Sequence, residues 1–171
     1  AFALPGGYIG IHLGLLAVTR STDELASVLA HELSHVTQRH IARLMSQSRQ
    51  TSWLSIAAMV LGALAMSRSP EGAQAIIMGG QGLAAQGQLN FSRDMEREAD
   101  RIGFGVLTEA GYDPNGMAQM FELLAQASRL NDDNNFPYLR SHPLTTERIG
   151  EARSRMGSSG LDPVGQQVRA V

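Results

Sequence analysis

The chain has 171 residues, 43% of them hydrophobic, enough for one sizeable core and short of what two independent ones need, so one domain is expected. A formal net charge of -2 and a pI near 6.2 provide neither a basic surface for nucleic acid nor an acidic tail for a basic partner. Cysteine and lysine are absent, all 14 basic residues being Arg, which removes thiol nucleophiles, disulfides, thiolate-bound zinc and Schiff-base or phosphate-loop lysines at once.

The chain opens at Ala1 without Met or a basic and apolar leader, which reads as the start of an excised fragment. Ala1–Leu4 and Tyr8–Leu13 flank the turn signal Pro5-Gly6-Gly7 and predict a small hairpin, with Ile9, Ile11 and Leu13 on one face and Tyr8, Gly10 and His12 on the other. Ser21 followed by Glu24 is a capping-box pattern, and Leu25, Val28, Leu29, Leu33 and Val36 then recur at helical spacing, which predicts one helix to about Ser46. The apolar run Trp53–Met66 is shorter than the about 20 residues that span a bilayer. It reads either as a core helix or as a segment that contacts lipid or covers substrate. Glu71–Asn90, rich in Gly, Ala and Gln, fits a loosely packed helix or a flap. A helix over Ser92–Ala110 should end at Gly111, after which Asp113 caps and Pro114 starts a helix to about Leu130. Asn131–Pro143 reads as a polar loop, Thr145–Met156 as a last helix, and residues 157–171 as a linker or tail. The expected class is α+β, mainly α, with the small sheet beside the second predicted element and a single domain over residues 1–156.

His31-Glu32-Leu33-Ser34-His35 is an H-E-x-x-H pattern within the capped helix. Residues four apart differ by about 40° around a helix axis, so both imidazoles project from one face and can meet a single ion. On the same wheel Glu32 falls between Val28 and Leu25, inside the stripe turned from water, where a carboxylate needs a reason. Catalytic zinc takes three protein ligands and a water, so a third ligand must come from elsewhere. Gln38 and Ile41 stand where the extended H-E-x-x-H-x-x-G-x-x-H pattern needs Gly and His, and His40 reads as a core or outer histidine. Glu96 and Asp100, four apart, share a face with Gly103 and Leu107, whereas Glu98 lies among Arg93, Arg97, Arg101 and Glu109. Glu96 is therefore the candidate ligand and Asp100 the acceptor that orients a ligating histidine through its other ring nitrogen.

With Ala1–Gly7, Leu25–Arg43, Glu96–Gly103, Gly111–Pro114 and Ser141–Leu144 followed by Arg148 in view, the chain resembles the M48 family of gluzincin metallopeptidases, in particular its bacterial periplasmic branch. The resemblance implies a zincin-like domain with one Zn2+ per chain, ligands His31, His35 and Glu96, and Glu32 as catalytic base. It draws attention to His142, which can occupy the metal's open position as a fourth ligand or plug, and to Arg148 as a support of the catalytic site. Read from the residues alone, His142 on a polar loop is equally a solvent-exposed side chain. The resemblance further implies a periplasmic location in a Gram-negative bacterium, unfolded or misassembled outer-membrane proteins as polypeptide substrates, and a TPR domain after the protease domain, with a peripheral membrane contact as a further expectation. The strand Tyr8-Ile9-Gly10-Ile11 could present a free edge on which an extended substrate pairs. Two other readings stand beside the peptidase: a chaperone-like scaffold that binds unfolded outer-membrane proteins, favoured by Trp53–Met66, and a helical binding domain without metal.

Overall fold

Pro5-Gly6-Gly7 reverses the chain because both glycines take a positive φ, 91° and 85°, that residues with a Cβ rarely adopt. In the computed structural model, which describes residues 1–130 and 137–159, this turn joins strands β1 (Phe2–Leu4) and β2 (Tyr8–Gly10). They pair antiparallel with Phe2 opposite Gly10, Ala3 opposite Ile9 and Leu4 opposite Tyr8. The second strand is shorter than its alternation suggests, because Leu13 already opens helix α1 (Leu13–Val18).

Seven helices follow among the described residues: α1, α2 (Thr22–Thr37), α3 (His40–Ala65), α4 (Pro70–Glu109), α5 (Asn115–Leu130), α6 (Pro137–Ser141) and α7 (Thr146–Ser159). Helix α2 begins as the capping pattern predicts: Ser21 Oγ accepts from the Glu24 amide at 3.1 Å, and the Glu24 carboxylate accepts from the Arg20 amide at 2.6 Å. It ends earlier than expected. Arg39 takes a left-handed φ of 54°, which breaks the predicted helix at Gln38-Arg39 and starts α3.

The stretch left open between Glu71 and Asn90 is helical and continuous with Ser92–Ala110, forming the 40 residues of α4. Gly111, at φ 81°, ends it as expected, and Asp113 Oδ1 caps α5 by accepting from the Asn115 amide at 2.9 Å. The expected polar loop Asn131–Pro143 is corrected in part: Pro137, suited to a first helical position, opens α6, while residues 131–136 lie outside the described residues. The last helix continues to Ser159 rather than Met156, and the remainder of the expected tail, residues 160–171, also lies outside them.

The chain divides into two compact units, Thr37–Glu96 and the remainder, the division falling within α4 between Glu96 and Arg97. In the unit holding the hairpin, the core gathers Leu15 of α1, Val28 of α2, Leu107 of α4, Met117, Met120, Phe121 and Leu124 of α5, Tyr138 of α6 and Ala152 of α7. Each large side chain buried there contributes about 1.5–3 kcal/mol. Helices α2 and α4 meet closely at Gly103, where a Cβ would sit 3.1 Å from the His31 amide nitrogen and 3.2 Å from the Ala30 carbonyl. The other unit contains α3 and α4 as far as Glu96.

Candidate metal centre

The buried face of α2 is polar, not the leucine stripe that periodicity alone suggests. Glu24, Ser27, Val28, Ala30, His31, Glu32, Ser34 and His35 are buried, while Leu29 and Leu33 are 36% and 41% exposed. Glu32, which shares a face with Val28, has no exposed surface. The exposed leucines line, with Ile9, Val106 and Tyr112, an apolar cavity of about 350 Å³ on the side of α2 away from the histidines.

His31 Nε2 lies 3.0 Å from His35 Nε2, as expected for imidazoles one helical turn apart. His142 Nδ1 lies 3.3 Å from the same His31 nitrogen. Glu96 completes the group: His31, His35, Glu96 and His142 each offer one ligand atom, all within 4.8 Å of one another, and all four residues are buried. His40, also buried, is not part of this group.

The other ring nitrogen of His31 is accounted for. Its Nδ1 donates to Asp100 Oδ1 at 2.9 Å, which leaves the lone pair on Nε2, directed at the group. Asp100 in turn takes a bidentate grip from Arg148, Nε to Oδ2 at 2.6 Å and Nη2 to Oδ1 at 2.8 Å. Burial pushes the Asp100 carboxyl up, but the hydrogen bonds from His31 and Arg148, with the Arg148 charge, outweigh it and hold the group below the usual carboxylate range. Arg148 also donates from Nη1 to the Pro143 carbonyl at 2.8 Å and lies over the Phe121 ring at 5.1 Å.

These contacts fix the segment that carries His142. The His142 amide donates to the Tyr138 carbonyl at 3.0 Å, and the Tyr138 ring stacks on the imidazole at 4.9 Å between centroids. His142 is 7% exposed, so the solvent-exposed alternative does not describe it. Its Nε2 stands 3.3 Å from Glu32 Oε1, close enough for an ion pair but without hydrogen-bond geometry. Both Glu32 oxygens are buried without a hydrogen-bond partner, a costly state for a carboxylate unless water or a cation completes it.

Converging ring nitrogens, a carboxylate, a histidine whose lone pair is turned inward and an unsatisfied buried acid fit a divalent ion of borderline softness. Of the remaining expected residues, Tyr8, Ile9 and Gly10 form β2 and Ile11 follows it; Tyr8 and Ile11 are exposed, Ile9 and Gly10 half-buried. Tyr138 was not singled out from sequence. Its place four residues before His142, just after a proline able to start a helix, is the signal that could have found it.

The model of peptidase family M48 matches residues 1–156. The chain is 43% identical over 155 residues to a putative beta-barrel assembly-enhancing protease of Vibrio cholerae, and 37% identical over 158 residues to the beta-barrel assembly-enhancing protease of Escherichia coli K12. It is also 34% identical over 156 residues to the mitochondrial metalloendopeptidase OMA1 of Arabidopsis thaliana. Each alignment covers 91% of this chain but 32%, 32% and 28% of the respective relative, so the chain spans about a third of the length of these proteins. A match over nearly the whole described chain, with metal-suited side chains at its centre, has one consequence: the chain belongs to peptidase family M48.

Proposed function

We propose that this chain is the catalytic domain of a zinc metalloendopeptidase that hydrolyses peptide bonds of protein substrates, with one Zn2+ held by His31, His35 and Glu96. The observation that carries the reading is the buried set of four donor atoms within 4.8 Å, beside an unsatisfied Glu32. A bound zinc ion would supply polarisation of the scissile carbonyl and a pKa of about 7 for the attacking water.

The chain's own groups do the rest. Glu32 is the general base: its carboxylate takes a proton from the attacking water and passes it to the leaving amine. Its complete burial keeps it from bulk water and beside the histidines. Asp100 holds His31 in the tautomer that leaves Nε2 without a proton. Arg148 is a positioning residue, clamping Asp100 and the Pro143 carbonyl next to His142. His142, with one nitrogen near His31 and the other near Glu32, occupies the space that water and substrate need, and so acts as a plug of the resting state. An extended substrate pairs along β2 at Tyr8–Ile11, whose ladder with β1 uses one edge, the other carrying no third strand among the described residues.

The relatives' names associate them with the assembly of beta-barrels, which supports a role for this chain in quality control of outer-membrane proteins in the periplasm of a Gram-negative bacterium. Unfolded or misassembled outer-membrane polypeptides are its substrates in this reading, a TPR domain accompanies it in the full-length protein, and it contacts the membrane peripherally. Zinc content and casein hydrolysis, measured on one preparation with and without a chelator, test the proposal: near-stoichiometric zinc and chelator-sensitive cleavage are expected, and metal-free protein or chelator-resistant cleavage would count against it. A second reading, a scaffold for unfolded chains in which cleavage is secondary, draws on the exposed apolar residues of α3. Comparison with Glu32→Gln separates them, since a scaffold keeps its effect on assembly when hydrolysis is gone.

A further inference from the structure

The middle of the unit Thr37–Glu96 is built inside out. Along residues 51–90, the buried residues are Ala58, Gly62, Ala73 and Ala84, all small. The two helices lie close because of them: a Cβ at Gly62 would collide with Ile77, and one at Gly80 with Ala58. Ala58 and Gly62, four apart, form the small-x-x-x-small spacing that lets helices approach where lipid, rather than water, surrounds them.

Apart from Ile77, which packs against Gly62, the large apolar side chains of this stretch are exposed. Trp53, Ile56, Val60 and Leu64 follow one another at helical spacing on the side of α3 opposite Ala58 and Gly62, with Trp53 71% and Leu64 70% exposed. Leu54, Met59 and Leu61, also exposed, widen the apolar surface to most of the helix circumference. A protein partner covers a bounded patch with a polar rim, whereas acyl chains solvate an apolar surface from every side.

Charge completes the pattern. No ionised side chain lies between Arg49 and Arg68, and Arg49 precedes Trp53 by one helical turn on the same face. An aromatic beside a basic residue at the end of an apolar run is the arrangement that sits at a membrane-water interface. From Thr37 to Glu96 five Arg, namely Arg39, Arg43, Arg49, Arg68 and Arg93, stand against Glu71, Asp94 and Glu96, a net of +2, although the whole chain carries -2. This local excess complements anionic headgroups. None of the described helices is long and apolar enough to cross a bilayer, so the fitting geometry lies in the interface.

We propose that the outward face of α3 formed by Trp53, Ile56, Val60 and Leu64 docks into the acyl boundary of an anionic lipid surface, with Arg49 on the headgroups. This deepens the peripheral membrane contact of the proposed function and does not depend on the metal. Trp53 is the chain's only tryptophan, so its fluorescence reports the face directly.

The test mixes the chain with vesicles of phosphatidylglycerol and phosphatidylethanolamine, with neutral phosphatidylcholine vesicles, and with vesicles carrying brominated acyl chains. Expected are co-sedimentation with the anionic vesicles, a blue shift of Trp53 emission and its quenching by the bromines. Val60→Asp with Leu64→Asp, both at exposed positions and checked for native circular dichroism, should lower partitioning at least tenfold. Arg49→Glu should weaken binding to the anionic vesicles specifically. Emission unchanged by every vesicle would overturn the proposal. So would a blue shift that arises only with urea-unfolded polypeptide, or one that follows protein concentration without lipid, which would assign the face to a polypeptide or to a second copy. Peptide hydrolysis is recorded in parallel with and without chelator, so failure of lipid binding and failure of the peptidase reading are scored apart.

Discussion

Replacing Arg148 by Met keeps most of the side chain's volume and removes its charge, which isolates what the guanidinium contributes. Three hydrogen bonds disappear, to Asp100 Oδ2 at 2.6 Å, Asp100 Oδ1 at 2.8 Å and the Pro143 carbonyl at 2.8 Å, and the Asp100 carboxylate keeps only His31 among these partners. Both members of the pair are at most 4% exposed, so solvent hardly screens the loss. Breaking a buried ion pair from one side costs about 3–5 kcal/mol, because the remaining charge stays buried. For a domain of this size, about 2–4 °C of Tm per kcal/mol converts that to a fall of roughly 6–20 °C. The loss should reach the metal as well, since disturbing the partner of a ligating histidine lowers affinity by about 10–100-fold.

The assay is thermal denaturation followed by circular dichroism, together with zinc competition against a chromophoric chelator. Arg148→Lys, which offers a point charge instead of a fork, should fall between wild type and Met. Adding Asp100→Asn to Arg148→Met should cost less than the two single losses combined, since the stranded charge is then gone. A Tm unchanged in Arg148→Met, together with unchanged zinc affinity, would refute the reasoning.

Glu32→Gln should retain zinc while hydrolysis falls by about 10²–10⁴-fold; normal turnover with bound metal would remove the general base. His142→Ala should raise proteolysis of an unfolded protein if the imidazole only obstructs the site, and equal rates with unaltered metal geometry would eliminate the plug. Gly103→Ala inserts a methyl 3.1 Å from the His31 amide nitrogen and should destabilise by about 1–3 kcal/mol with weaker metal binding, an expectation that a wild-type urea midpoint would contradict. Chelation should lower Tm in the wild type and restore nothing on adding Mg2+, whose preference for oxygen ligands the histidines do not meet.

The parts of the site that obey helical spacing were legible in the sequence. His31 and His35 are brought together by one turn of α2, and Glu96, Asp100, Gly103 and Leu107 share the side of α4 that their spacing implies. Long-range placement was not legible. Nothing in Gln38-Arg39, neither Gly nor Pro, announces the left-handed residue that separates α2 from α3. The segment carrying His142 reads as a polar loop because the Arg148 that holds its Pro143 carbonyl is itself anchored by Asp100 of α4, 48 residues away in sequence, which local propensity does not reveal. Periodicity also misjudged Leu29 and Leu33, which line an open apolar cavity while Glu24, Ser27 and Ser34 are buried. The hydrophobicity of α3 was visible, but which way its side chains point was not. That direction is set by the small residues Ala58 and Gly62 packing against α4.

The most direct test is anomalous diffraction at the zinc edge on crystals of the chain purified without added metal. A single peak bounded by His31 Nε2, His35 Nε2 and the Glu96 carboxylate is the predicted result. A peak away from that group, or none in active protein, would contradict the account.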